Sequence, residues 1–399
     1  MKVTLNWLKD FVDIDVPVNE LADKLVGAGF EIEEIINQRD NIQGVVLGKI
    51  LSISKHPDAD KLVVCDIDVG AERLQIVTGA DNISEGDIVP VAKDGAKLPD
   101  GKRIKKGKLR GVESCGMLCS GGELALSESE YKGAGVYGIL IMNGEKFPLG
   151  TDINEVLGYD DVILDVAVTA NRGDCNSVYG IAGEVAAILN KPLRAPKTDF
   201  VAESTDDVKN YVSVNVYDKD ICSRYMAAAV TDVKIAPSPE YMRRRLKAVG
   251  IRPINNLVDI TNYVLTEIGQ PMHAFDRRDI AGAQINVRCA AENEKIIALD
   301  GKEYTLNPDV LVICDADKPC AIAGVMGGEN SGIKEDSREI IFESARFARD
   351  SVRRTSRSLG LRSDSSARFE KGVDYSLQDM GLRRALHLVA KLGCGKIVP

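Results

Sequence analysis

Two residues in the second half of the chain are of types that do chemistry, an imidazole at His273 and a carboxylate at Glu343. His273 is one of three histidines and follows directly on Gln270-Pro271-Met272, where proline fixes the backbone. Just upstream, Leu257, Ile260, Val264 and Ile268 recur at helical spacing, with Asn256 placed to cap the helix and Gly269 to end it. At about 100° per residue Thr261 shares that apolar face, so a hydroxyl is expected on the buried side. This pair has two readings. One is a site in which the imidazole, titrating near neutrality, deprotonates or orients a reacting group. The other is a threonine bonded back to its own helix beside a capping histidine. Glu343 ends the apolar run Ile340-Ile341-Phe342. Upstream of it, Gly324-Val325-Met326-Gly327-Gly328 has three glycines in five residues, which let a backbone come close to something.

The surrounding sequence divides by texture. Residues 1–40 read as a small α+β unit, with an apolar cluster at Trp7, Leu8 and Phe11. A helix capped by Asn19 carries Leu21 and Leu25 and stops at Gly27 and Gly29. Residues 41–150 change to short strands punctuated by Gly79, Gly86, Gly95, Pro99 and Gly101, the pattern of a small closed barrel. The first texture returns over 151–198, where Asn171, Arg172 and Asp174 form a polar turn before a helix bearing Val178, Ile181, Val185 and Ile188. That turn would cap the helix or hold an anion. The barrel is therefore read as an insertion into one discontinuous domain. Pro192 and Pro196 mark a linker, and 200–399 mixes strands and helices in a further domain. In it, Ser238 and Pro239 open one helix, Ile296–Leu299 and Glu303–Leu306 form a hairpin with a two-residue turn at Asp300-Gly301, and Val310–Cys314 pairs with Cys320–Ala323. The fold class is α+β and multidomain.

The bulk composition limits the function. With 44% hydrophobic and 28% charged residues, the 399-residue chain reads as soluble, with room for two to three cores. Its apolar runs are too short for a membrane span. Nine cysteines at irregular spacing fit reduced thiols in a cytoplasm, and Cys115 and Cys119 alone make a poor zinc site. The net charge of −9 argues against nonspecific coating of nucleic acid. Yet eight Lys or Arg stand against two Asp from Val91 to Arg110, and eight against four acids from Glu343 to Lys371. Two such patches on an acidic chain point to defined polyanion contacts, or else to solvated faces. Lys102, Arg103, Lys105, Lys106 and Lys108 form the first as a cationic rim, but aromatic stacking platforms are absent between Val45 and Arg110. No G-x-S-x-G elbow, H-E-x-x-H pair or Walker loop is present.

His56-Pro-Asp-Ala-Asp-Lys-Leu62 and Ser114-Cys-Gly-Met-Leu-Cys-Ser120 resemble the motifs of the tRNA-binding OB fold. Asn6-Trp-Leu8, that barrel, T-A-N-R-x-D-C at 169–175, I-T-N-Y-V-L-x-E-x-G-Q-P-M-H-A-F-D at 260–276, A-G-V-M-G-G at 323–328 and R-F-E-K-G-V-D at 368–374 occur in that order. In that order they resemble the β subunit of bacterial phenylalanine–tRNA ligase. The resemblance runs from Met1 to the end of the chain and covers about the first half of such a subunit, which implies a fragment of a longer chain.

The resemblance implies an OB-type tRNA-binding domain at 41–150 and a B3/B4 editing domain at 200–399 that hydrolyses tyrosyl-tRNA(Phe). An apolar pocket rejects one added hydroxyl by only about a hundredfold, so a second site must read it. Carried over, Glu343 accepts the tyrosine hydroxyl, and Gly327 leaves room for the ring or lines the pocket with backbone. His273, Thr261 and Asn262 hold the ester end and a water, and Arg252 meets the tRNA terminus. Ser363 stands where the family usually has threonine, and Ser365 replaces a small apolar residue. No cofactor is implied for these residues. Phenylalanine activation with ATP and magnesium falls to an α subunit in an α2β2 assembly with tRNA(Phe), in the cytoplasm and without a membrane. The rival reading is a non-catalytic tRNA-binding and assembly fragment.

Overall fold

The computed structural model describes residues 1–128 and 130–399. They form two compact units, residues 36–162 and residues 1–35 with 163–399.

In the first unit the strands Gln43–Lys55, Val63–Asp68, Arg73–Thr78, Ile88–Lys97 and Gly116–Leu118 make a five-stranded antiparallel sheet. Arg73–Thr78 and Gly116–Leu118 are its two edges, and bonds from Cys115 N–H to Gln75 C=O (2.8 Å) and from Val77 N–H to Ser114 Oγ (3.1 Å) draw them together, nearly closing a barrel. Ile50, Ile67, Ile76, Val89 and Leu118 fill it. Closure removes the exposed edges that an open sheet would present.

The second unit is layered around a four-stranded antiparallel sheet in the order Met272–Asp276, Ile340–Phe347, Cys222–Thr231, Lys396–Ile397. Strand side chains alternate, and both faces are covered. Ile340, Phe342, Ala228 and Ala274 pack against a core shared by Trp7, Leu8, Leu21, Val185, Leu257, Ile260, Val264 and Leu386. Ile341, Ala345, Phe347 and Phe275 pack instead with Ile285, Val287, Val312 and Ile322. These last belong to a five-stranded sheet, Ser213–Val216, Gln284–Cys289, Leu311–Cys314, Pro319–Ile322, Met326–Gly327, whose first pair is parallel. The first core thus joins residues of 1–35 and 163–198 with residues of 200–399.

Several local expectations need correction. Asn255, not Asn256, caps the helix Asn256–Ile268: its extended backbone lets Oδ1 accept from Leu257 and Val258 N–H. Asn256 is spent on Lys234 C=O and Ala236 N–H. That helix is buried nearly all round, more than its apolar stripe implied. Ser238 caps nothing, because its hydroxyl bonds Asp259 (2.6 Å) and the helix Glu240–Ala248 starts after Pro239. Asn19 lies inside the helix Val18–Gly27. Ser177, not Asp174, caps Val178–Leu189; Arg172 takes Asp174 in an ion pair (2.8 Å) and bonds Glu184 as well. The hairpin strands end at Ile297 and resume at Glu303, so the connection exceeds two residues, with Gly301 at φ +74° making the turn. Leu311–Cys314 and Pro319–Ile322 pair as expected, with a bulge between Ile313 and Cys314. Among the described residues no helix is long and apolar enough to cross a membrane, and all nine cysteines are free thiols.

Candidate functional site

The alternation that buries both faces of the central sheet also sets the site. On the strand Ile340–Phe347, Ile341, Ala345 and Phe347 face the second sheet, and Glu343 falls in the same register. Its direct neighbours are His273 on one adjacent strand and Ala227 on the other. Two residues along, Tyr225 donates its hydroxyl to Glu343 Oε2 at 2.7 Å. His273 and Glu343, seventy residues apart in sequence, are thus cross-strand partners lining one cavity of about 60 Å³. Its other walls include Ile313, Ala321, Met326 and Phe369.

The turn before His273 is fixed from below. Gln270, fully buried, donates to Pro271 C=O (2.8 Å) and Ala345 C=O (3.0 Å) and accepts from Gln378 (2.8 Å), tying the turn to the central strand. The imidazole stands edge-on to Phe275, ring centroids 4.5 Å apart. Its Nε2 is buried with no hydrogen-bond partner, although the residue retains some exposed surface. Desolvation pushes its pKa down to about 4, so the ring is neutral at physiological pH. Glu343 is shifted the other way: burial raises its carboxyl to about 7, only partly offset by the Tyr225 hydroxyl. Its second oxygen has no hydrogen-bond partner among the described residues. A half-neutral acid beside a neutral imidazole, both short of partners, forms a recess that would take up a polar group.

Gly327 sits against the imidazole, and a Cβ there would stand 2.6 Å from His273 Cε1. Of the two roles expected for it, lining by backbone matches the geometry, and the room it leaves is filled by the histidine. Ser365 lines the cavity. Ser363 does not: it caps the helix Asp364–Lys371 and donates to Val325 C=O at 2.6 Å, fastening that helix to the glycine loop. Thr261, though buried, donates to Val258 C=O of its own helix at 2.7 Å, and neither it nor Asn262 is among the cavity residues. Arg252 is exposed in the connection before that helix. The structure therefore brings together His273, Glu343, Gly327 and Ser365, and leaves Thr261, Asn262 and Arg252 apart from the cavity. Sequence reasoning missed Tyr225. The available signal was a phenol in register with Ala227 and Ala229, next to the small run Ala227-Ala228-Ala229.

On the barrel, Lys102, Arg103, Lys105, Lys106 and Lys108 are all exposed, and Lys106 is paired with Glu113 at 2.8 Å. His56 is structural, bonded to Leu109 C=O (3.0 Å) and accepting from Asp58 N–H (3.1 Å).

These two modules match known families. A profile described as "Putative tRNA binding domain" covers residues 45–139, and one described as "B3/4 domain" covers 221–394. The molecule is thus a tRNA-binding-type barrel combined with a B3/4 domain. Over all 399 residues it is 49% identical to the phenylalanine–tRNA ligase β subunit of Clostridium acetobutylicum and 48% identical to that of Clostridium tetani. Over 397 residues it is 46% identical to the Syntrophus aciditrophicus subunit. All of this chain is covered in each case, against 50%, 50% and 48% of the relatives' lengths, so the chain spans about half the length of the curated relatives it matches. It belongs to the phenylalanine–tRNA ligase β-subunit family and corresponds to the N-terminal half of its members.

Proposed function

We propose that this chain hydrolyses tyrosyl-tRNA(Phe), with the B3/4 domain as the editing module and the barrel as a tRNA-binding module. The observation that carries the reading is the cross-strand pairing of His273 with Glu343 in one cavity, the imidazole with a buried Nε2 that has no partner and the carboxylate with the Tyr225 hydroxyl alone. Glu343 accepts the phenol hydroxyl of a misplaced tyrosine, and Tyr225 holds its other oxygen. Phenylalanine brings no such hydroxyl and leaves the carboxyl unpaired, which is the stronger form of discrimination.

The ester is already activated, so positioning supplies much of the rate. Water adds to the ester carbonyl carbon, the bond to the ribose oxygen breaks, and that oxygen takes up the proton. A neutral imidazole suits orientation of the water better than its deprotonation, since a pKa near 4 makes His273 a weak base. Ser365 presents a hydroxyl in the wall and tunes stringency. Thr261 and Asn262 support from the helix, Ser363 anchors the glycine loop, and Arg252 meets the tRNA terminus.

In the intact enzyme this chain's relatives are proposed to join an α subunit as α2β2 in the cytoplasm, where ATP and magnesium serve phenylalanine activation. Among the described residues one cluster has metal-ligand types, Asp174, Cys175 and Glu184. The Arg172 guanidinium already bridges both carboxylates, so the cluster does not fit a magnesium ion and no step is routed through one.

The test compares hydrolysis of tyrosyl- and phenylalanyl-tRNA(Phe) at high protein concentration. The tyrosyl ester should be cleaved faster, and Glu343→Ala should erode the difference. Equal rates at the level of spontaneous ester loss would instead support a non-catalytic tRNA-binding and assembly role.

A further inference from the structure

The helix Arg349–Leu359 is strongly two-faced. Ser351, Val352, Thr355 and Ser356 are buried, while Arg349, Arg353, Arg354 and Arg357 are exposed, with Asp350 as the one acid. Five other arginines of this unit, Arg172, Arg245, Arg278, Arg288 and Arg384, all hold carboxylates. Arg353, Arg354 and Arg357 form no ion pair or hydrogen bond among the described residues, nor does Arg362 just beyond the helix. Arg353 and Arg357 lie one turn apart, where like charges repel and weaken the helix. Such a face is tolerated more readily when an outside polyanion neutralises it.

Its position is specific. On the buried side, Val352 Cγ2 lies 3.0 Å from where a Cβ on Gly324 would stand, and Gly324 lines the His273–Glu343 cavity. Four residues past the helix, Ser363 bonds Val325 of the same cavity wall. The arginines are therefore the outer face of an element whose inner face supports the cavity.

We infer that Arg353, Arg354 and Arg357, with Arg362, form a phosphate-binding face that seats the tRNA backbone next to the cavity receiving its aminoacyl end. The inference rests on the editing reading for its purpose, but the binding stands or falls separately. A nucleic-acid backbone is the fitting occupant because guanidinium groups pair with phosphates through two parallel bonds, and three on about 100° of helix surface present a row to a chain of charges. Contacts to phosphate position a strand and read no sequence.

The test is anisotropy titration of a labelled, uncharged tRNA(Phe) transcript with the full chain over a salt series, alongside R353A/R354A/R357A and R353K/R354K/R357K. Alanine is the best helix former and these side chains are solvated, so the fold should persist, which thermal unfolding checks. The alanine variant should bind at least ~10-fold more weakly near 0.1 M salt, and the slope of log K against log salt should fall by about 2–3. The lysine variant should retain most of both. Unchanged affinity and slope in the alanine variant would overturn the inference, as would a lower unfolding temperature with unaltered binding, which would confine the arginines to the helix itself. Absence of binding by the unaltered chain at low salt would overturn it too. Loss of binding in the alanine variant, with no preferential hydrolysis by any form, would keep the docking face and remove the editing reading.

Discussion

Two buried glutamates in the same unit show how differently a fold treats a carboxylate. Glu267, with 0% exposure, accepts from Arg384 through both oxygens (2.6 and 3.0 Å) and from Trp7 Nε1 (3.4 Å). Glu343, 6% exposed, has the Tyr225 hydroxyl alone and is pushed up to about 7. The first is bound on all sides and its chemistry is closed; it fastens the N-terminal segment and the last helix around the buried helix Asn256–Ile268. The second carries an unmet demand into a cavity. Burial alone does not mark a functional acid. Burial without a cationic partner, beside space, makes it a candidate.

The largest expected effect breaks the satisfied pair. Arg384→Ala leaves Glu267 buried without its cation and should destabilise this unit by about 3–5 kcal/mol. Trp7 is the only tryptophan and is stacked on Tyr263 at 4.6 Å, so its fluorescence during urea unfolding reports on this unit. A loss under ~1 kcal/mol would mean that water reaches Glu267 and that the two acids differ less than their geometry implies.

Glu343 should respond with the opposite sign. Its folded pKa is raised from 4.5 to about 7, so the folded state is not penalised below pH 4.5 and loses stability as pH rises through 7. Glu343→Gln keeps the acceptor for Tyr225 and removes the charge. It should therefore stabilise the unit at pH 8 by up to about 3 kcal/mol, have little effect at pH 4, and reduce the preference for the tyrosyl ester. His273 works in the other window. With its pKa held from 6.5 down to about 4, its contribution is present above pH 6.5 and fades on acidification, and it should persist in the glutamine variant. Urea midpoints across pH 4 to 9 test both.

Much of this was legible in the sequence, and the gaps have physical causes. The apolar stripe and Gly269 located the buried helix, and turn residues marked the barrel strands, because these signals are local. Glu343, His273 and the glycine loop were identifiable as candidates, but their meeting depends on the register between strands far apart in sequence, which no local pattern encodes. Thr261 shows the limit from the other side. Its place on the buried face was inferred correctly, but the sequence left two readings of its hydroxyl open, and only the structure shows it bonded back to the preceding turn of its own helix. Tyr225 was overlooked because a lone aromatic on a strand reads as core, and only the 2.7 Å bond reveals its role.

A smaller perturbation acts on the partner of Glu343. Gly327→Ala places a Cβ 2.6 Å from the His273 ring and 3.0 Å from Leu299 Cδ1, so the ring must move and the Leu299 side chain must give. The expected destabilisation is about 1–3 kcal/mol, with hydrolysis of the tyrosyl ester falling more than tRNA binding. Equal loss of both would indicate a collapse of the unit and not a displaced imidazole.

The finest test asks whether Tyr225 holds Glu343 or merely adjoins it. Tyr225→Phe preserves the ring and deletes the hydroxyl that favours the charged carboxylate. Glu343 should then titrate higher still, by ~1 unit, and the alkaline loss of stability should move by the same amount. In a Glu343→Gln background that displacement should vanish, because nothing remains to titrate. An unchanged profile in Tyr225→Phe would show that water replaces the phenol. Glu343 would then be wetter than its single protein bond implies, and its contrast with Glu267 would be one of access to solvent instead of number of partners.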